Sequence, residues 1–275
     1  MITKIIACAD IHIRNLRRQE EYHEILKKFI DQCREITDEN GAENTRIVVA
    51  GDLLHNKLDI SGEGYVLASW FLRELDKITT TIVIAGNHDM NMMNLNRVDP
   101  ISTIFSMCDF KQVWYLDREL GYESGVKNDE NIVWCLYSAF DSFARPNIEE
   151  YRISHPDQTF VGLFHGDIKS AKTDAGYQSE NGIDPSYFGD LDFAILGHIH
   201  KRQVIKADGV PLVYCGSLIQ QDHGENRSGH GFIVWDVENR TYEEHDIPNE
   251  DYGFYTYSID SIDDIDKNEE RILNL

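Results

Sequence analysis

The chain has 275 residues and a formal net charge of −22, so it is long enough for one large domain but poorly suited by bulk charge to approach a polyanion. No apolar run is long enough to cross a bilayer, and Asp10 interrupts the first run too early for a secretory signal peptide. The five cysteines are odd in number and lack a C-x-x-C pair, which predicts reduced thiols in a cytoplasmic compartment.

The first half of the chain alternates apolar runs rich in β-branched residues with segments of helical periodicity. The predicted elements are strands at 2–9, 46–50 and 82–85, helices at 20–36 and 64–77, and a shorter helix at 100–107. Strands and helices that alternate at this spacing are typical of βαβ units and of a largely parallel sheet.

The second half changes from this alternation to hairpins. The predicted strands are 113–116, 131–137, 159–164, 193–196, 203–215, 231–237 and 241–246. Asp208-Gly209 is a hairpin signal within the fifth of these. Two sheets packed face to face, with helices outside, would accommodate both halves.

Polar side chains follow five of the predicted strands, at the point where each strand ends. In open α/β sheets this edge is where ligands bind. The set offers carboxylates, imidazoles and one amide oxygen without thiolates, which suits Mn²⁺, Fe²⁺ or Zn²⁺ at a reactive site more than a structural zinc. Because the ligands are too many for one ion, a pair of ions that share a bridging carboxylate is expected. The residues are Asp10, His12, Asp52, His55, Asn87, His88, His165, His198 and His200.

The order of these motifs, namely D-x-H, G-D, G-N-H-D, H and G-H-x-H, resembles the calcineurin-like metallophosphoesterase superfamily as far as about residue 246. The resemblance implies an α/β fold, a four-layer α/β/β/α sandwich of two mixed sheets flanked by helices. It implies two divalent metal ions, with Mn²⁺ preferred and Fe²⁺, Zn²⁺ or Mg²⁺ as alternatives. Residues 1–250 would form the catalytic domain, and 251–275 either an acidic tail or the start of a truncated C-terminal capping domain.

The resemblance also assigns roles to individual residues. The implied ligands are Asp10, His12 and His200 for the first ion, Asn87, His165 and His198 for the second, and Asp52 as the bridge. His88 would be the catalytic histidine, which protonates the leaving oxygen. Asp89 would orient a metal ligand from behind it.

The kind of phosphoester is suggested by His55. Ser/Thr phosphatases of the superfamily carry G-D-x-V-D-R-G, whereas this chain reads G-D-L-L-H-N-K from Gly51, without the arginine that grips a phosphomonoester. A histidine three residues after the bridging aspartate is similar to SbcD-type nuclease subunits of DNA double-strand-break repair. The passage Y-x-G-S-L…G-E…G-F that begins at Tyr214 is similar to the same nucleases, including phage-type members.

The resemblance therefore predicts a Mn²⁺-dependent DNA exonuclease with single-strand endonuclease activity, which acts by a two-metal mechanism in DNA repair, recombination or phage DNA processing. His55 would help to orient the DNA strand. The predicted partners are single-stranded DNA and double-strand ends, an SbcC-type SMC-like ATPase and a second copy of the chain, at the nucleoid of a bacterial or phage-infected cell. The further substrate-binding candidates are Arg14, Lys201, Arg202, Gly216 and Ser217.

Two alternatives remain open at this point. A cyclic-nucleotide or small-molecule phosphodiesterase of the same fold would carry the same metal ligands and would leave DNA intact. A non-catalytic, metal-stabilised protein that binds DNA ends would require a broken metal site, and the sequence shows no broken ligand motif.

Overall fold

Two six-stranded sheets lie face to face, and helices cover their outer surfaces. A computed structural model shows this arrangement and describes residues 1–91 and 93–255. It confirms the predicted α/β class and the sandwich of two mixed sheets flanked by helices. Most of the segment predicted as a tail or capping domain, from residue 256 onward, lies outside the described residues.

The described elements follow one another in the chain order that the sequence suggested for most of its length. The strands are β1 (Lys4–Cys8), β2 (Thr45–Ala50), β3 (Thr81–Ile84), β4 (Val113–Tyr115), β5 (Gly125–Asp129), β6 (Ile132–Tyr137), β7 (Thr159–His165), β8 (Phe193–Gly197), β9 (Gln203–Ala207), β10 (Val210–Tyr214), β11 (Gly231–Asp236) and β12 (Thr241–Asp246). The α-helices are α1 (Gln19–Asn40), α2 (Gly62–Asp76), α3 (Pro100–Met107), α4 (Leu116–Glu119) and α5 (Ile148–Ser154). Within the described ranges, no helix combines the length and apolarity needed to cross a bilayer.

Both sheets place their central strands parallel. The first sheet has the order β12-β11-β1-β2-β3-β4, and the second has the order β5-β6-β7-β8-β10-β9. Strands β1 to β4 run parallel in the first sheet, as do β6, β7, β8 and β10 in the second, and every other pair of neighbouring strands is antiparallel. The carboxyl ends of the parallel strands therefore meet at one edge of each sheet.

Three apolar layers hold the sandwich together. Side chains of both sheets interleave in the central layer, where the rings of Phe193 and Trp235 stack with centroids 4.1 Å apart. Helices α1 and α2 cover the first sheet through an apolar stripe at helical spacing, which includes Phe29 and Phe71. The second sheet is covered by α5, a short 3₁₀ helix that contains Phe188, and loop residues.

Three elements, β5, α4 and α5, were absent from the sequence prediction. Strand β5 has the sequence G-V-K-N-D and is largely half-exposed at the edge of the second sheet, so it lacks the apolar run that marks a buried strand. It pairs with β6 across a turn at Glu130, whose φ is 55°. The residue Leu116 was predicted to end a strand, but it begins α4.

Gly197 allows the two sheets to approach each other beside the carboxyl edge. A Cβ atom there would lie 2.2 Å from the carbonyl oxygen of Ala50 in the first sheet and 2.6 Å from Nδ1 of His165.

We expect Gly197→Ala to lower the free energy of unfolding by about 1–3 kcal/mol, because backbone atoms cannot move aside cheaply. Gly62→Ala is the matched control, since no atom lies within 4 Å of its Cβ. The control should raise the free energy of unfolding by about 0.4–1 kcal/mol; urea denaturation measures both, and equal effects would contradict the close approach.

Candidate metal centre

The structure brings all seven predicted ligands together at the carboxyl edges of the two sheets. Asp10 and His12 follow β1, Asp52 follows β2, and Asn87 follows β3 in the first sheet. The second sheet contributes the last residue of β7 and the loop after β8, which carry the three remaining histidines, His165, His198 and His200. The ligand atoms of one sheet therefore face those of the other.

One group of donors consists of Asp10, His12 and His200, whose ligand atoms all lie within 4.8 Å of one another. The Nε2 atoms of His12 and His200 are 3.1 Å apart. Two imidazole nitrogens that bind one ion at about 2.1 Å lie roughly 3.0–3.4 Å apart for octahedral or tetrahedral angles. These three residues therefore fit a single divalent ion.

A second group lies beside the first. Oδ1 of Asn87 and Nδ1 of His198 face each other at 2.9 Å. Nε2 of His165 is buried, and within the described residues it has carboxylate oxygens of Asp52 and Asp10 at 3.2 and 3.9 Å but no well-aligned hydrogen bond. A buried polar atom of this kind is costly unless a ligand satisfies it, and a metal ion would do so.

Asp52 lies between the two groups. Its Oδ2 atom is 3.5 Å from Nε2 of His12, in the first group, and 3.2 Å from Nε2 of His165, in the second. Its Oδ1 atom accepts a hydrogen bond from the backbone N–H of His88 at 2.8 Å. The residues present therefore fit a pair of ions with one shared carboxylate.

The electrostatics of the cluster follow from burial and mutual proximity. Burial raises the pKa of Asp10 to about 6, although the facing imidazoles oppose this shift. Burial also acts to raise the pKa of Asp52, but the charges of His165 and His12 outweigh it, and the net pKa is lower than usual. Burial lowers the pKa of His198 to about 4, and the neighbouring imidazoles add to this effect. Asp52 and His198 are therefore in the protonation states that metal binding requires. Burial acts to lower the pKa of His165, but the charges of Asp52 and Asp10 outweigh it and raise that pKa to about 10, so an ion bound at this imidazole would displace its proton.

Left-handed backbone conformations aim the ligands at one another. The φ angles are 53° at Asp10, 53° at His12, 51° at Asp52 and 98° at His198, although none of these residues is glycine. Such residues cost of order 1–3 kcal/mol each and persist only where the surroundings hold them. Here the backbone N–H groups of Asp10 and His12 donate to the carbonyl oxygens of Gly51 and Asp52 at 3.1 and 2.9 Å. No pattern in the amino-acid sequence indicated this strain.

Asp89 ties together the loops that carry two of the ligands. Its carboxylate is fully buried and accepts hydrogen bonds from the backbone N–H groups of Leu53 at 3.1 Å, Leu54 at 2.9 Å and Gly86 at 3.0 Å. Burial, and then the charge of Asp52, raises the pKa of Asp89 to about 7. The supporting role that the resemblance implied for Asp89 is compatible with this position and stays a prediction.

His88 and His55 lie next to each other at the cluster. Their rings stack with centroids 5.2 Å apart, and Nδ1 of His88 lies 2.7 Å from the carbonyl oxygen of His55. Since a carbonyl only accepts, Nδ1 of His88 carries a proton and donates it to this oxygen, which leaves Nε2 as the ring nitrogen available for proton exchange. His55 also approaches His12, with 3.4 Å between their Nδ1 atoms. Burial lowers the pKa of His55 to about 4, and the charges of Arg14 and His88 add to this effect.

Two of the predicted substrate-binding residues lie at the rim of the centre. Arg14 is half-buried, and its Nη2 donates to the carbonyl oxygen of Gln221 at 3.2 Å. The Nζ atom of Lys201 lies 3.4 Å from Oδ1 of Asp174. Arg14 therefore points its cationic group toward the loops of the first ion, whereas the charge of Lys201 is already paired.

The other three predicted substrate-binding residues have structural surroundings, which differs from the substrate contact that the sequence suggested. Ser217 is completely buried, and its Oγ lies 3.0 Å from Nδ1 of His230. Gly216 has a φ of 71°, and a Cβ there would lie 2.8 Å from the carbonyl oxygen of His200. The guanidinium of Arg202 is 6% exposed and is held by the carboxylate of Asp246. These residues fix the loop of His200 instead of facing an open surface.

Glu225 is the site residue to which sequence reasoning assigned no role. Its Oε1 lies 2.6 Å from Nδ1 of the predicted ligand His200. The G-E pair of the motif that begins at Tyr214 was the signal for this residue, but only the fold shows which histidine it meets.

Removal of divalent ions should destabilise the protein, because a site that binds ions only when folded stabilises the folded state. For ions at 100 to 1,000 times their dissociation constant, the loss amounts to about 3–4 kcal/mol. We expect Tm to fall by about 6–12 °C in EDTA and to recover on addition of Mn²⁺, as measured by calorimetry. An unchanged Tm would contradict the metal centre.

The family comparison matches the sequence to a known domain. The chain matches the family model described as the Calcineurin-like phosphoesterase superfamily domain over residues 3–240. The uncharacterized protein R555 of Acanthamoeba polyphaga mimivirus is 34% identical over 266 residues, which cover 94% of this chain and 19% of that protein. The chain thus spans about a fifth of the length of this relative.

Two solved structures are similar to this chain over most of its length. TT1561 of Thermus thermophilus is 14% identical, with 90% of this chain and 100% of that chain covered and a TM-score of 0.51, which supports the fold alone. A structure described as a novel archaeal phosphodiesterase is 13% identical, with 87% and 97% covered and a TM-score of 0.42.

Proposed function

This chain belongs to the calcineurin-like phosphoesterase superfamily, and from that premise we propose that it is a metal-dependent DNA nuclease of the SbcD type. The superfamily generally binds two divalent metals, and the chain has candidate ligands for both. The fold implies a metal-dependent phosphoesterase hydrolase. Cleavage of DNA is the further step, and its support comes from individual residues.

The observation that carries the proposal is the position of His55. His55 occupies the position of the second aspartate in the phosphatase motif G-D-x-V-D-R-G, and Asn56 occupies that of the arginine. The ring of His55 stacks on that of His88 at a centroid distance of 5.2 Å. An uncharged imidazole here does not grip the doubly charged end of a phosphomonoester as a guanidinium would. It does suit a diester, whose phosphate has only one charge and continues into a sugar on either side.

Cations and carboxylates both lie around the centre. Arg14 and Lys57 are half-buried, and Arg17 is exposed. Nη2 of Arg14 donates to the carbonyl oxygen of Gln221, and Nζ of Lys57 lies 3.5 Å from the carbonyl oxygen of the predicted ligand Asn87. Asp174 and Asp222 line a cleft of about 280 Å³ beside His198 and His200. We expect a DNA phosphate to approach at Arg14 and Lys57, because local cations decide where a polyanion binds.

The reaction in this proposal is hydrolysis of a phosphodiester. Two bound cations neutralise phosphate charge and lower the pKa of water. Arg14 and Lys57 would hold the phosphate in place. His88, in its doubly protonated form, would give the proton of its Nε2 to the departing oxygen and be left neutral, and the hydrogen bond from its Nδ1 to the carbonyl oxygen of His55 keeps the ring in the required orientation.

The proposal includes the partners of SbcD-type nucleases, for which the resemblance is the support. These are an SMC-like ATPase, a second copy of this chain, and chromosomal or phage DNA in the cytoplasm. Sedimentation analysis tests the homodimer. Stimulation of cleavage by ATP in a co-purified complex tests the ATPase, and a monomeric chain with ATP-independent cleavage would remove both partners from the proposal.

A small-molecule or cyclic-nucleotide phosphodiesterase is the second candidate, and the acidic cleft favours it. The carboxylates of Asp174, Asp222 and Glu225 line the cleft next to His198 and His200. Together with the net charge of −22, they would repel a long polyanion more than a compact diester.

One experiment separates the two candidates. The protein is loaded with Mn²⁺ and incubated with end-labelled single-stranded and duplex oligonucleotides, and in parallel with bis-p-nitrophenyl phosphate. Cleavage of the oligonucleotides supports the nuclease. Hydrolysis of the small diester with intact oligonucleotides would overturn the nuclease and favour the second candidate.

His55→Ala provides a prediction specific to the nuclease. We expect the rate of cleavage of paired ends to fall by about 10- to 100-fold and that of single strands by less than about threefold. The reason is that a strand held in a duplex must be separated and oriented before its phosphate reaches the metal centre, whereas a single strand is already free to enter. Gel assays of the same oligonucleotide, alone and annealed, measure both rates. Equal losses on the two substrates would remove the strand-orienting role of His55.

A further inference from the structure

His200 has a different kind of group behind its ring from the other predicted histidine ligands. Its Nδ1 lies 2.6 Å from Oε1 of Glu225, whereas Nδ1 of His165 faces the carbonyl oxygen of Ala50 at 2.8 Å. Among the hydrogen bonds of the four histidines in the described part of the chain, only that of His200 reaches a carboxylate outside the ligand cluster. Since a carboxylate only accepts, the proton of His200 lies on Nδ1, and its Nε2 lone pair faces the cluster.

The carboxylate of Glu225 is itself held in place. Its side chain is 9% exposed, and its Oε2 accepts a hydrogen bond from the backbone N–H of Gln221 at 2.7 Å. Nε2 of Gln221 in turn donates to the carbonyl oxygen of Ile11 at 3.2 Å, in the loop between two ligands of the first ion. The loop that carries Glu225 therefore contacts both parts of the chain that supply the first group of ligands.

The backbone of His200 is fixed by other residues. The backbone N–H of Ser217 donates to the carbonyl oxygen of His200 at 3.1 Å, and Gly216 leaves room for this approach. Glu225 is thus left to control the orientation and proton position of the ring. A carboxylate that accepts from a metal-binding imidazole raises its basicity and fixes its tautomer, and its loss typically weakens metal affinity about 10- to 100-fold.

We propose that Glu225 is a positioning residue that fixes the tautomer of His200 and selectively tightens binding of the first ion. The two ions of the centre are then held with unequal affinity. The first ion has a buried carboxylate behind one of its imidazoles, and the imidazole of His165 at the second has only a neutral carbonyl group. The inference rests on the metal centre and is independent of which phosphoester is cleaved.

The test is calorimetric titration of the metal-free protein with Mn²⁺. The wild-type chain should bind two ions. Glu225→Ala should weaken one of the two by about 10- to 100-fold and leave the other within about threefold. Glu225→Gln should weaken the same ion by a smaller factor, because the amide oxygen still accepts from Nδ1 but has no charge. In a His198→Ala background, which removes a ligand of the second ion, the remaining site should show the effect of Glu225.

Asp222→Asn is the matched control, because it removes one negative charge from the same cleft while an amide oxygen remains to accept from the N–H of Gly224. Equal weakening by this control, equal weakening of both ions by Glu225→Ala, or no change would each overturn the proposal. If Glu225→Ala does not fold, as judged by circular dichroism, the glutamine variant decides: weakening of one ion supports the proposal and unchanged affinity overturns it. A wild-type chain that binds two ions but leaves DNA intact would overturn only the nuclease.

Discussion

Asp52→Asn should release both ions together and lower the hydrolysis of bis-p-nitrophenyl phosphate by roughly a thousand-fold. The reason is the position of its Oδ2 atom, which lies 3.5 Å from Nε2 of His12 and 3.2 Å from Nε2 of His165. A neutral amide offers one weakly basic oxygen and cannot neutralise two cations at once. Metal analysis of the purified variant, followed by the hydrolysis assay, measures both effects.

The control for this prediction is Asp184→Asn. Asp184 is exposed and bonds to Ser186 at the start of a 3₁₀ helix, so its loss should leave the metal content and the activity unchanged. An Asp52→Asn variant that retains two ions, or that loses only one, would contradict the bridging assignment.

His88→Ala should lower phosphodiester hydrolysis by about 100- to 10,000-fold and leave the metal content intact. The imidazole has its Nδ1 bonded to the carbonyl oxygen of His55 and its backbone N–H bonded to Asp52, so its Nε2 is the atom available to the substrate. Loss of this nitrogen removes the proton donor for the departing oxygen. A substrate with a more acidic leaving group, which needs less protonation, should lose less activity in the variant.

His23→Ala is the matched histidine control, because its ring stacks on Trp70 between α1 and α2. Its activity should equal that of the wild type. Loss of ions from His88→Ala would instead mean that His88 is a ligand, since its ring and those of His12 and His55 form a third group with ligand atoms within 4.8 Å.

The ligand cluster could be predicted because its chemistry is local in sequence. Each of the residues Asp10, Asp52, Asn87 and His165 lies at or within three positions of the end of a buried strand, and parallel strands bring such ends to a common edge. The change from βα alternation to hairpins was compatible with two packed sheets, and the resemblance to the superfamily implied the sandwich that the structure shows. Neither step required knowledge of side-chain contacts.

The remaining features depend on contacts between distant parts of the chain. Glu225 contacts His200 across 25 positions in the sequence, and no sequence pattern in either loop predicts this contact. Ser217 looked available beside Gly216, but the fold buries it against His230. Strand β5 was missed because an edge strand can remain half-exposed and therefore needs no apolar run.

The left-handed backbone at four of the ligands has a consequence for protein design. An engineer who copies only the side chains of this centre onto ordinary strands or helices would place them at the wrong angles, because regular elements do not provide positive φ values. A successful transplant would have to include the crossed loops after β1, β2 and β8, together with the buried groups that brace them. The seven ligand side chains alone would therefore not rebuild the centre; the backbone conformation of these loops has to be transferred with them.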